Sequence, residues 1–326
     1  MNTLWLQLIT SFGLTWLAIS FLLRGKMLKS VIDLPNERSL HTTPIPRTGG
    51  LGLMVGVLAG WSWNWQPWLL PLAGGVLSLM VLSFLDDLRG LPAGFRFLMH
   101  FVVAGIFMLI VALPEPAWLL GLVIAVCMVW IINLYNFMDG SDGLAGGMAI
   151  FGFGAYAIAA WLGGDVQLAL SALVIATSAL AFLLYNFHPA RIFMGDAGSI
   201  PLGFLAGALG LLGWQRGLWP LWFPLVIFSP FVVDATVTLL KRLVRGEKIW
   251  QAHRSHYYQR LIQMGWGHRN TALAEYLLML SVAASGIAAI KWPVSGQMAF
   301  GLGWGLAYFS LAIWIDRRWA IWQKQS

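Results

Sequence analysis

Charge is what this sequence has least of. Asp, Glu, Lys and Arg make up 10% of its 326 residues, against about 25% in a soluble domain, which excludes an ordinary water-soluble enzyme. Cysteine is nearly absent. The lone Cys127 lies inside an apolar run, so neither a disulfide framework nor a thiolate metal site is available. Tandem repeats are missing, and no polar stretch is long enough for a separate soluble domain. What is present is 59% hydrophobic residues with 36 Gly and 19 Trp, the composition of a membrane protein, in which Gly is frequent in helices and Trp gathers at the interfaces.

The apolar runs predict an all-α, polytopic membrane protein with one domain over residues 1–326 and eleven spans, roughly 3–23, 48–65, 68–85, 96–113, 117–134, 144–162, 166–185, 200–214, 218–240, 271–290 and 296–315. Most approach the ~20 residues that a helical crossing needs; the span at 200–214 is short. The first span has no basic residue before it and no cleavage pattern after it, so it reads as an uncleaved helix. Alternating sides puts all but Arg216 and Lys291 of the 20 Lys and Arg residues on one face. The positive-inside rule makes that face cytoplasmic, with the N-terminus external and the C-terminus cytoplasmic. The net charge of +7 is thus spread between spans, which argues against nucleic acid. The external loops, such as Trp65–Trp68 and Pro114–Pro116, are short; the cytoplasmic ones carry nearly all the polar chemistry.

Three acidic clusters fall on the cytoplasmic side, each pressed against a span end: Asp86-Asp87, Asp139 with Asp142 in the stretch Asn133–Gly147, and Asp196 in Gly195–Ser199. Charge at a hydrocarbon edge is costly and marks a site by default, although Asp196 could simply open the next helix. Carboxylates without thiolates suit a hard cation such as Mg2+, with Mn2+ an alternative, and hence a diphosphate substrate. Neighbouring helix residues diverge by about 100°, so Asp86 and Asp87 face different partners. Arg96 either meets a phosphate or is a plain basic flank. The basic loop holds His253, Arg254 and His256 with no nearby acid in sequence. It suits phosphate or sugar binding better than a metal pair, with contact to anionic lipid as the alternative. Asp234, inside a span, is either a functional acid or a partner for Lys241 or Arg242. The polar segment Asp33–Gly52, extended by Pro44 and Pro46, reads as a wall of the site.

Together these residues resemble the polyprenyl-phosphate N-acetylhexosamine-1-phosphate transferases, the group that includes the MraY-, WecA- and WbpL-like enzymes. The resemblance runs from about Asp33 to Arg260 and rests on Pro35–Gly50, Asp86-Asp87, Asn133–Leu144, Phe193–Ser199 and His253–His256. It implies transfer of a sugar-1-phosphate from a UDP-N-acetylhexosamine to undecaprenyl phosphate, with release of UMP, in the bacterial inner membrane. It also implies roles. Asp196 and Asn136 hold Mg2+, and Asp86, Asp87 and Asp196 are catalytic. Asp142 meets the nucleobase and Arg96 the diphosphate. Asp139 binds the donor, and His253, Arg254 and His256 recognise the sugar and its phosphate. His-Arg-Ser-His departs from the consecutive histidines of the muramoyl-pentapeptide branch. It points to the branch that starts O-antigen or similar surface glycans, with UDP-N-acetylfucosamine or UDP-N-acetylquinovosamine as donor and UDP-N-acetylglucosamine as the alternative. Membrane lipid is a further partner, and a homodimer is compatible with the family.

The acceptor is itself a phosphate, mostly dianionic at pH 7 with a second pKa of ~6. Direct in-line attack is therefore expected, with a covalent aspartyl intermediate as the runner-up. A transporter of lipid-linked sugar would place its acids near mid-membrane and show repeated halves. A CDP-alcohol phosphotransferase would carry a spaced acidic signature after Asp139-Gly140, which is not matched.

Overall fold

A backbone in lipid must satisfy its own N–H and C=O groups, and apolar runs do so by coiling into helices. The computed structural model describes residues 2–24, 32–33, 40, 44–111, 118–248, 251 and 253–325. Residues 34–39 and 41–43 of the polar segment, Lys26 and Lys29, residues 114–116 and Ala252 lie outside the described residues.

The helices are α1 (Asn2–Arg24), α2 (Gly49–Ser62), α3 (Leu69–Arg89), α4 (Ala93–Ile110), α5 (Trp118–Phe137), α6 (Leu144–Leu162), α7 (Val166–Asn186), α8 (Asp196–Gln215), α9 (Trp222–Ile227), α10 (Ser229–Val244), α11 (Tyr257–Leu261), α12 (Gly267–Ala289) and α13 (Val294–Trp322). The one sheet among the described residues pairs β1 (Ile32–Asp33) antiparallel with β2 (Ile45–Pro46); Pro44 and Pro46 led one to expect extended backbone, but not a paired strand. Nine helical runs among the described residues are long and apolar enough to cross a membrane. The chain is an all-α, polytopic membrane protein.

Three expected spans differ in detail. The run at 48–65 forms only the 14-residue α2, which gives way to a turn at Trp63 and Asn64 ahead of Pro67. The run at 218–240 is split into α9 and α10 at Phe228; Pro230 has no N–H to continue the ladder of α9. The short span at 200–214 begins earlier, at Asp196, and reaches 20 residues as α8.

The core sits around α8. Of its most apolar stretch 89% is buried, against 6% for α13, which lies at the rim. α5 and α3 pack directly on α8, α6 and α7 pair with each other beside it, and aromatic contacts such as Phe107–Phe204 and Tyr156–Trp219 fill the seams. Polar links separate the two ends of the bundle. At one end Arg216 pairs with Asp165 at 2.8 Å and Asn64 donates to Gln167 at 2.7 Å. The three acidic clusters all lie at the other end.

Candidate active site

The site is assembled from helix ends. α3 delivers Asp86 and Asp87 on its last turn, and Gly90, with φ of 65°, stops the helix there. The turn through Pro92 starts α4 and returns Arg96 to Asp86, at 2.6 Å. Asp86 also accepts from the Leu91 N–H at 2.7 Å, which fixes the turn itself. The same Arg96 guanidinium stands 3.6 Å from Asp196. One cation therefore bridges two of the expected catalytic acids.

Asp196 is the first residue of α8, where the positive end of the helix dipole favours an acid. Asp196 does open the next helix, one position inside the Gly195 cap, and the placement serves the site as well. Asn136, at the end of α5, hydrogen-bonds Asp196 and accepts from the Ser199 hydroxyl at 2.7 Å. Asp139 lies just beyond. Burial and then the Asp196 charge hold its carboxyl well above the usual carboxylate range, against the Gly195 N–H that it accepts. Asp86 and Asp196 thus share a single guanidinium, and Asp139 stands behind Asp196.

Asp87 diverges from Asp86 as helical geometry requires, and pairs with Arg47 at 3.1 Å. Arg47 follows β2, whose backbone is stitched to the start of α8: Phe193 N–H donates to Pro46, Gly49 N–H to Phe193 and Gly50 N–H to Met194, at 2.7 to 2.9 Å. The described part of the polar segment is a wall of the site.

Asp142 is turned away from this group. Its carboxylate is 7% exposed and meets His188 Nδ1 at 2.7 Å, with His268 Nδ1 at 3.8 Å; the Ala190 N–H donates to it at 3.1 Å. The two imidazoles stack with an interplanar angle of 6°. His188 and His268 were missed in the sequence, where they stand 46 and 126 residues from Asp142, although a histidine directly before Pro189 at a span end is a visible signal.

The basic loop is anchored from inside the membrane bundle. Asp234 accepts from the backbone N–H groups of Tyr257 and Tyr258 at 2.9 and 3.0 Å and from Thr238, and lies 3.2 Å from His256 Nδ1. The loop therefore does have an acid beside it. Asp234 does not pair with Lys241 or Arg242, which bond to Asp316 and Glu247 instead. His256 is buried, Arg254 is exposed, and the stretch is not helical before α11, yet the His253 and His256 rings lie 4.8 Å apart. Burial, then the neighbouring His256, lowers His253 to about 4, so it is neutral at pH 7. Tyr258 reaches the Phe137 carbonyl at 3.4 Å, which joins this loop to the Asn136–Asp139 end of α5.

An apolar cavity of about 240 Å3 opens between α5, α8 and α9–α10, lined by Val123, Cys127, Ile131, Gly207, Leu211 and Leu225 among others. It runs along the two helices that carry Asn136 and Asp196.

As a test of metal fit, the donors at the Arg96 cluster are all oxygens, the preference of a hard cation. No group of three or more His, Cys, Asp or Glu among the described residues forms a protein cage. Mg2+ bound through one or two carboxylates and a substrate's phosphates needs none, so the residues fit.

Residues 69–213 match the family described as glycosyl transferase family 4. A probable undecaprenyl-phosphate N-acetylglucosaminyl 1-phosphate transferase of Bacillus subtilis is 33% identical over 273 residues, which cover 78% of this chain and 76% of the relative. A decaprenyl-phosphate N-acetylglucosaminephosphotransferase of Mycolicibacterium smegmatis is 29% identical over 91% of this chain and 83% of its own. A phospho-N-acetylmuramoyl-pentapeptide-transferase of Geobacillus thermodenitrificans is 27% identical over 85% and 93%.

Proposed function

The chain belongs to the polyprenyl-phosphate hexosamine-1-phosphate transferases of glycosyl transferase family 4, and on that premise we propose that it moves N-acetylglucosamine-1-phosphate from UDP-N-acetylglucosamine to undecaprenyl phosphate. The observation that carries the reading is Arg96 between Asp86 and Asp196, beside Asn136. Two relatives at 33% and 29% identity are named for N-acetylglucosamine, which favours that donor over the 6-deoxy sugars expected from the sequence. The lipid-linked product would start a surface glycan such as O-antigen. The excess of basic residues on the loops at the site's end favours a cytoplasmic face of the inner membrane.

Phosphoryl transfer is mostly positioning and charge stabilisation. Arg96, fixed by Asp86, meets the donor diphosphate. Mg2+, held by Asp196 and Asn136, would neutralise charge on the diphosphate when bound. The acceptor's phosphate oxygen forms a bond to the phosphorus of the sugar-1-phosphate as the bond to UMP breaks. The acceptor is largely dianionic at pH 7, so no strong base is required, and Asp86 and Asp87 position rather than deprotonate. His256, Arg254 and neutral His253 present the sugar side of the site, while Asp142 orients His188 towards the nucleobase. The lipid tail follows the apolar cavity along α5 and α8. A transporter reading is disfavoured because the clustered acids gather at one end of the bundle.

The test is UMP release by purified protein given undecaprenyl phosphate and a panel of UDP-N-acetylhexosamines, with Mg2+ or EDTA. UDP-N-acetylglucosamine with Mg2+ is expected to give UMP, EDTA to stop it, and Asp196→Asn to remove it. No UMP with any donor overturns the reading; full activity in EDTA overturns the metal assignment alone.

A further inference from the structure

A second cavity, of about 360 Å3, lies between α10, α12 and α13, away from the Arg96 cluster. Val233, Leu278, Leu311 and Ile315 make its walls mostly apolar, but two carboxyl groups, Asp234 and Glu275, line it too. Asp234 is saturated by the N–H groups and side chains that it accepts. Glu275 makes no hydrogen bond or ion pair among the described residues. It stands eight residues into α12, about 12 Å along the helix axis from Gly267, where a lone ionisable group is expensive and functional by default.

Among the described residues no nearby cation pairs with Glu275. Lys241 and Arg260 both bond Asp316, and Arg242 bonds Glu247. Apart from Ser281 the remaining polar lining is aromatic: Lys241 and Arg260 lie over the Tyr257 ring and Arg318 over that of Trp314, which leaves Trp266, Trp304 and Tyr308 to face the space. Aromatic faces around an unpaired carboxyl group form a setting for an organic cation, which would draw off its proton and pair with it. A neutral lipid tail would fill the volume and leave Glu275 unpaired; an anionic headgroup would bring like charge to the Asp234 wall.

We infer that this cavity binds the ammonium group of a cationic amphiphile drawn from the bilayer, with Glu275 as its counter-ion. The Asp234 wall of the cavity also anchors the His256 loop, so the occupant sits one carboxylate away from the proposed reaction centre. The inference does not depend on the reaction assigned above.

The experiment uses the full chain in a neutral maltoside detergent and two photoreactive probes of equal chain length, a dodecylammonium and a dodecanol, each with an alkyl diazirine. Mass spectrometry maps the labelled peptides. The ammonium probe should label the cavity segments of α12 and α13 saturably, about tenfold more efficiently than the alcohol at equal concentration, the usual scale of a charge-assisted contact. Glu275→Gln, close in shape and without charge, should bring the two probes level. Equal labelling of the wild type by both probes, as expected if Glu275 is simply protonated, overturns the inference without recourse to a variant. So does unchanged ammonium labelling in Glu275→Gln.

Discussion

Gly50 and Gly198 meet backbone to backbone: a methyl group on Gly50 would stand 2.3 Å from the Gly198 nitrogen and 2.4 Å from its Cα. No rotamer relieves such a contact, because neither neighbour is a side chain. The segment after β2 and the first turn of α8 are thereby held at a separation only glycine permits.

Gly50→Ala is expected to destabilise the protein by about 1–3 kcal/mol, the range for overpacking a tight interior. It should also shift Asp196 relative to Arg96. Thermal unfolding in detergent reads the first effect and UMP release the second; a Gly50→Ala protein with wild-type melting and activity would contradict the contact.

Arg96→Lys should raise KM for the UDP-sugar about tenfold with a smaller change in kcat. A lysine ammonium cannot hold Asp86 and also face Asp196 with the planar fork of a guanidinium. Steady-state kinetics at saturating acceptor separates the two constants.

Asp234→Asn should loosen the catalytic loop. The carboxylate accepts the Tyr257 and Tyr258 N–H groups at opposite oxygens. An amide has one acceptor, so one N–H is left facing a donor at a cost of about 1–3 kcal/mol. Hydrogen exchange of the Tyr257 and Tyr258 amides should quicken, and activity should fall, although Asp234 touches no substrate in this reading.

Acid should reveal His253. Its pKa in the fold is about 4, below the usual 6.5, through burial first and then the adjacent His256. The unfolded chain takes up this proton before the folded one. Its contribution to stability is therefore present above pH 6.5 and lost as pH falls through 4. His253→Asn should flatten that part of the wild-type decline between pH 6.5 and 4, read from melting temperatures, with little difference at pH 7.5.

Much of this architecture was legible because a bilayer demands contiguous apolar runs, and such runs can be counted. The ends of helices were less so. Hydropathy hid the first turn of α8, since Asp196 and Ser199 are polar yet helical. It also joined α9 to α10, where a proline breaks the backbone without breaking the apolar run. The acidic clusters were legible as clusters, and the divergence of Asp86 from Asp87 followed from helical geometry alone. Their partners were not: Asp142 finds His188 and His268, and Asp234 finds His256, only after the bundle has formed. The two acids were equally visible in the sequence, but what they hold is a property of tertiary packing.

The rim helix α13 shows how a membrane protein can keep such a cavity beside its core. Its polar attachments are discrete: Gln297 to Trp222, Trp304 to Ser285, Tyr308 to Ser229, and Asp316 to Lys241 and Arg260. Lipid tails are as apolar as leucine, so closing the gaps between these points brings no hydrophobic gain. The stretch between Tyr308 and Asp316 can therefore stand off from α10 and α12. In water the same seam would be driven to collapse; in the bilayer, sparse fastening leaves a gap that an acyl chain can fill with no hydrophobic penalty.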